Sequence, residues 1–237
     1  MLVRDKKHFT AGALMALAFF GLFMVIMSPV FGNGMNGLEF SDDVFNKLSK
    51  GSSYFVPKVT KQNEAFLGKM FEAKVKFDKP EDAKTAADMV TIAGGQAELN
   101  GGEVKVSGDL GKLLSVVIRD GDLMYKNEGA KVKETYGYDE KKVTKNWWTL
   151  LSKIDKQLQN AKEFDKATMI ASVNKSIVEP GYNYYGIPAQ KVSDHILLMT
   201  ALLVFYVVYT MWWGFSLYHL FEGLGLTVHK VAVKKEV

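Results

Sequence analysis

His195-Ile-Leu-Leu-Met-Thr-Ala-Leu-Leu-Val-Phe-Tyr-Val-Val-Tyr-Thr-Met-Trp-Trp-Gly-Phe-Ser-Leu-Tyr-His-Leu-Phe221 holds no Asp, Glu, Lys or Arg. A hydrocarbon layer about 30 Å thick is crossed by roughly 20 apolar residues in a helix rising 1.5 Å per residue. The quoted stretch is long enough, and so is Phe9 to Leu38, which is equally free of charge. Two membrane spans are predicted, residues 9–30 and 193–221. They bracket a segment, 31–192, as charged as an ordinary soluble domain.

The first span could open a signal peptide, with Val30-Phe31-Gly32 as a loose cleavage site. Its apolar run exceeds the 7–15 residues usual for a signal sequence, so an uncleaved anchor is predicted. Ser193-Asp194 offers an N-cap to the second span, and Gly223 with Gly225 marks its end. Orientation follows from the short flanks. Arg4, Lys6 and Lys7 precede the first span, and Lys230, Lys234 and Lys235 follow the second. Positive short flanks stay in the cytoplasm. Residues 1–8 and 222–237 are thus read as cytoplasmic, and 31–192 as extracytoplasmic.

From Gly32 to Ser193, 24 Lys and Arg stand against 22 Asp and Glu. The charges are interleaved, without the basic face that nucleic acid requires, so no nucleic-acid partner is expected. The chain has no cysteine, which excludes disulfides, thiolate zinc sites and cysteine-ligated clusters. An extracytoplasmic domain without disulfides leans towards the bacterial inner membrane.

Within that domain an α+β fold is predicted, a short antiparallel sheet backed by helices plus one long amphipathic helix. Ser41-Asp-Asp-Val-Phe-Asn-Lys-Leu reads as a capped helix. Phe71 to Phe77 alternates apolar and polar, as a half-buried strand does. Asp78-Lys-Pro80 starts a helix with Ala83, Ala86, Ala87 and Val90 inward. A hairpin turns at Asn100-Gly-Gly, and Asp109 caps a helix that Asp120-Gly121 should stop. This strand–helix–strand–strand–helix order resembles part of a ferredoxin-like fold. The long helix begins near Asp139, with Val143, Trp147, Leu151, Ile154, Leu158 and Ala161 as one stripe. A further helix from about Asp165 to Val178 carries Ile170, Val173 and Ile177 and ends at Glu179-Pro180-Gly181. Tyr182, Tyr184 and Tyr185 could form a ligand platform; an interfacial aromatic belt is the reading preferred.

The four histidines, His8, His195, His219 and His229, all lie outside the domain. A Ser-His-Asp triad or histidine metal site there is therefore excluded. His8 and His219 fall near the same interface and could approach, so axial ligation of a haem is conceivable; ordinary interfacial histidines are the preferred reading, and no cofactor or metal is expected. Asp120-Gly-Asp122 begins like a calcium loop but lacks its later ligands. No phosphate-cradling loop or nucleophile elbow occurs, and the protein is read as a non-enzyme.

More than an anchor is needed to explain the second span. Tyr206, Tyr209, Trp213 and Ser216 recur on one helical face, and polar groups at membrane depth usually find partners on another helix. Gly12 and Ala16 form a small-xxx-small pair in the first span that permits close approach. These six residues are the predicted partner-helix contacts, to a membrane-protein partner or a second copy. The preferred reading is an accessory or assembly subunit of an envelope complex. An extracytoplasmic ligand sensor signalling through a partner and a haem-bearing respiratory subunit are the alternatives.

Overall fold

The computed structural model describes residues 3–226. Its elements in chain order are α1 (Lys6–Ile26), α2 (Gly37–Ser52), α3 (Val56–Asn63), β1 (Met70–Lys76), α4 (Pro80–Ile92), β2 (Gln96–Asn100), β3 (Glu103–Asp109), α5 (Leu110–Tyr125), α6 (Gly129–Tyr136), α7 (Glu140–Asn160), α8 (Phe164–Val173), α9 (Glu179–Asn183) and α10 (Ile196–Leu224). They divide into two units: residues up to Phe45 with those from Lys191 onward, and Asn46–Gln190 between them.

In the first unit, α1 and α10 are long and apolar enough to cross a membrane. Gly12 is the buried residue of α1, and Ser216 and Gly223 are those of α10. Such helices are apolar on nearly every side. Asp5 accepts the N–H groups of Lys7 and His8, so α1 starts three residues before the predicted span. It ends at Ile26, ahead of Pro29. The Ser193-Asp194 cap expected for α10 does not form. Ser193 donates its hydroxyl to the Asp194 carboxylate, Val192–His195 make a 3₁₀ turn, and α10 begins at Ile196 without a side-chain cap. Gly225 ends it in the left-handed region, whereas Gly223 stays inside the helix.

α2 also starts earlier than predicted. Asn36 accepts from the N–H groups of Leu38 and Glu39, and Glu39 accepts from Asn36 N–H, a reciprocal capping box. Ser41 is therefore interior, its hydroxyl turned back to the Gly37 carbonyl.

The second unit is mostly helical around a three-stranded antiparallel sheet in the order β1-β3-β2. β1 pairs with β3, and β3 with β2. Hence α4 carries the chain past β3, and β1 and β2 run parallel on either side of it. The predicted hairpin turns at Gly101-Gly102, with Gly101 at φ 61°. Phe71, Ala73 and Val75 share the core face with Val104 and Val106, all buried. Ala83, Ala86, Ala87 and Val90 of α4 are buried as their spacing predicted. Its N-cap is Lys79, not Asp78, with Pro80 in the first turn.

Asp109 caps α5 by accepting Lys112 N–H. The stop expected at Asp120-Gly121 is absent, and the helix continues to Tyr125. A mid-helix glycine costs about 1 kcal/mol against alanine. Here it permits a close approach, since a Cβ on Gly121 would lie 2.5 Å from the Ile177 side chain. α3 and α6 were not predicted. In α7, capped by Asp139, the stripe from Val143 to Leu158 is buried together with Leu150. Ala161 lies beyond its end and is exposed. After α8, Asn174–Val178 form a π-helical turn. Pro180 then stands in the first turn of α9 instead of ending a helix. The extra residue of that turn brings both Ile177 and Val178 into the core.

The three tyrosines before α10 differ in their surroundings. Tyr185 donates its hydroxyl to Glu140, and the Tyr184 carbonyl accepts from Lys50, all within the second unit. Tyr182 is exposed.

Candidate partner-helix site

Four of the six predicted contact residues meet inside this chain. Ser216 donates its hydroxyl to the Gly12 carbonyl at 2.9 Å. The backbones are close there because Gly12 has no side chain: an added Cβ would lie 2.7 Å from the Leu220 nitrogen. Ala16, one turn further along α1, is half-buried. Tyr209 stacks on Phe19 with ring centroids 4.2 Å apart, and Trp213 packs on Phe19 and Phe20 at 4.8 and 5.5 Å. The expectation that this face meets another protein's helix is thus revised for Gly12, Tyr209, Trp213 and Ser216, whose partner is the other apolar helix of the same chain. Tyr209 keeps its hydroxyl enclosed without a hydrogen-bond partner among the described residues. Tyr206 is different. It is 63% exposed and lines an apolar groove of about 790 Å³ with Leu203 and Phe205 of α10, Leu22 and Ile26 of α1 and Phe40 of α2.

At the other end of the pair, His8 and His219 do approach, with Nδ1 atoms 2.9 Å apart and rings stacked. One nitrogen donates and the other accepts. A metal held linearly between two imidazole nitrogens separates them by about 4 Å, twice the usual 2.0–2.1 Å bond. These nitrogens bond each other directly. His195 lies outside this pair, and His229, Lys230, Lys234 and Lys235 fall outside the described residues.

In the second unit two buried charged residues stand out: Lys50 has no place in the sequence reading, and Asp120 appears there as a helix stop and not as a buried group. Asp120 is buried; it accepts from Tyr136 at 2.5 Å, from the Trp147 indole at 3.1 Å and from Arg119 at 2.9 Å. One carboxylate therefore joins α5, α6 and α7. Burial raises its pKa, outweighing the lowering by Tyr136, Arg119 and Trp147. Lys50 donates to Asn127 Oδ1, the Tyr184 carbonyl and the Ile187 carbonyl at 3.1, 3.1 and 2.6 Å. All three ammonium protons are used. Burial lowers its pKa. Gln190 N–H donates to the Lys47 carbonyl at 3.0 Å, so the points where the chain enters and leaves this unit are tied together. Among the described residues, no three of His, Cys, Asp and Glu gather in a metal-binding group. Asp120 could have been suspected from the apolar stripe resuming at Leu123-Met124 beyond it; nothing local marks Lys50.

The raised pKa of Asp120 has a definite sign. The folded state holds its proton to higher pH than the unfolded state, so this residue's contribution is full below the unfolded value and is lost as pH rises through the folded one. Asp120→Asn is expected to abolish that part of the pH dependence. Urea unfolding of both proteins in steps upward from about pH 4, the ordinary carboxylate value, checks it: the stability difference should change across this window. A constant difference would show that Asp120 titrates normally.

No family model, curated protein or solved structure shows a match to this chain.

Proposed function

We propose that this protein is a non-catalytic, two-pass accessory or assembly subunit of a cell-envelope membrane complex. In this reading α1 and α10 cross the inner membrane, both termini are cytoplasmic, and the Asn46–Gln190 unit is presented outside for protein contact. The positive flanks at Arg4, Lys6 and Lys7 and at Lys230, Lys234 and Lys235 support that orientation. The tie between Lys47 and Gln190 supports an anchor of two chain segments leaving the domain side by side.

Tyr206 carries the proposal. It lies ten residues into the 29-residue α10, about 15 Å along a helix about 43 Å long. That is well inside a hydrocarbon layer about 30 Å thick. A phenol exposed to lipid at such depth loses its water partners, and a polar group on a neighbouring helix restores the bond. The groove beside it is apolar, as a docking helix requires.

The test is retention of a co-purifying membrane protein on the affinity-tagged full chain in mild detergent. Tyr206→Phe removes only a hydroxyl. Interhelical hydrogen bonds average about 0.6 kcal/mol, so affinity should fall roughly threefold. Tyr209→Phe should have no such effect, because its hydroxyl is already enclosed against α1. A protein that runs alone and monomeric, or equal retention in both variants, would sink the proposal.

A further inference from the structure

The two edges of the sheet are finished differently. On β1 the residues bonded to β3 are odd-numbered, as Phe77 N–H to Gly102 O shows at the strand's end. The even-numbered residues turn their backbone groups outward, and helix side chains bond to those of Met70, Lys74 and Lys76. Lys74 N–H donates to Gln157 Oε1 at 2.9 Å, while the Gln157 amide returns a hydrogen bond to the Lys74 carbonyl. Lys153 caps the Lys76 carbonyl, and Lys166 caps that of Met70. This edge is closed to pairing.

β2 has no such cover. Its register sets Gln96, Glu98 and Asn100 opposite Ser107, Lys105 and Glu103. Since the even residues of β3 bond to β1, these odd residues of β3 bond to β2. The N–H and C=O groups of Ala97 and Leu99 therefore face outward, and no side chain reaches them among the described residues. The side chain of Leu99 stands on the core face beside Val104, yet it is 46% exposed. Ile92, ending the helix that packs on β2, is half exposed as well. The core layer stops one strand short.

The geometry points to β2 as an acceptor for an extended strand from another protein, one that alternates apolar residues inward with basic residues outward. This rests on the accessory-subunit reading and names the kind of contact the outer unit makes. Strand addition satisfies the free backbone groups, and its inward residues cover Leu99. The basic outward residues follow from Glu98, whose cross-strand neighbour Lys105 is already engaged by Glu72 at 3.2 Å. A second copy is the wrong occupant. Symmetric β2–β2 pairing through Ala97 and Leu99 would set Glu98 opposite Glu98 in a non-hydrogen-bonded pair, where side chains are closest and like charges repel.

Amide exchange of the full chain in detergent tests this, with a short synthetic peptide alternating valine and lysine as probe. Exchange at Ala97 and Leu99 should slow at least tenfold with peptide, while Glu98 and Asn100, already bonded inward, change little. Ala97→Pro removes only an outward N–H, which an edge strand tolerates, and should abolish protection at Leu99 with Val104 and Val106 unchanged. Glu98→Lys, which leaves the ladder intact, should shift the preference to a valine–glutamate peptide. No protection with either protein, or an unaltered preference in Glu98→Lys, overturns the proposal. Concentration-dependent protection without peptide also overturns it, in favour of a second copy. If the edge ignores the peptide while Tyr206→Phe still releases a partner, strand addition fails and the accessory reading stands.

Discussion

Trp147→Ala is expected to destabilise the Asn46–Gln190 unit by about 3–5 kcal/mol, the range for deleting a fully buried large aromatic side chain. The indole is 1% exposed, so nearly all its apolar area would be lost and a cavity left. Its ring meets Tyr136 edge-on at 6.3 Å. Its N–H donates to Asp120, leaving that buried carboxylate one partner fewer in the variant, which places the loss towards the upper end of the range. Trp148 is the natural comparison. It neighbours Trp147 in sequence, is turned about 100° round α7, and is 42% exposed with its indole donating to Glu179. Trp148→Ala should cost roughly 1 kcal/mol, the worth of a part-exposed hydrogen bond and some packing. Urea unfolding of the full chain, followed by far-ultraviolet circular dichroism, separates the two. Equal shifts in midpoint would mean that α7 is turned the wrong way.

The stripe that places Trp147 was legible because five apolar residues repeat at helical spacing and Asp139 caps the helix locally. β1 was legible for a similar reason: every second residue between Phe71 and Phe77 is apolar. What was misread involved competing local signals or distant partners. Asn36 and Ser41 are both good N-caps, and Glu39 decides for Asn36 by completing a reciprocal pair. Asp120-Gly121 carries a stop signal that packing overrides, because Gly121 meets Ile177 far along the chain. The π-helical turn at Asn174 leaves no mark that a spacing rule detects. In the apolar pair, spacing selected the correct face of α10 but not its partner. Residues three apart lie about 60° from each other round a helix, enough for Tyr209 to enter the seam with α1 while Tyr206 remains at its margin.

Gly12→Val is expected to open that seam. Its Cβ would lie 2.7 Å from the Leu220 nitrogen and 3.0 Å from the Ser216 carbonyl, both backbone atoms that cannot swing aside. One helix must therefore retreat. Overpacking of this kind costs about 1–3 kcal/mol, and losing the Ser216 bond adds about 0.6 kcal/mol, at most near 1.7. The effect spreads, because a second approach depends on the same separation: a Cβ on Gly223 would lie 2.5 Å from the Phe9 nitrogen. The membrane insertion proposed for this pair should survive, since valine is favourable in a span. The absence of cysteine makes the seam measurable. With His8→Cys and His219→Cys in one chain, that pair is the one disulfide a monomer can form, and the adjacent rings place it within reach. Joined fragments after proteolysis within residues 46–190 report the bond. Joining should be efficient in this background and in Gly21→Val, where an added Cβ meets nothing within 4 Å. It should fall slightly with Ser216→Ala and sharply with Gly12→Val. Undiminished joining in Gly12→Val would mean that the two helices do not meet at Gly12. Tyr209, Trp213 and Ser216 would then be free for another protein's helix, and Tyr206 would lose its distinction from them.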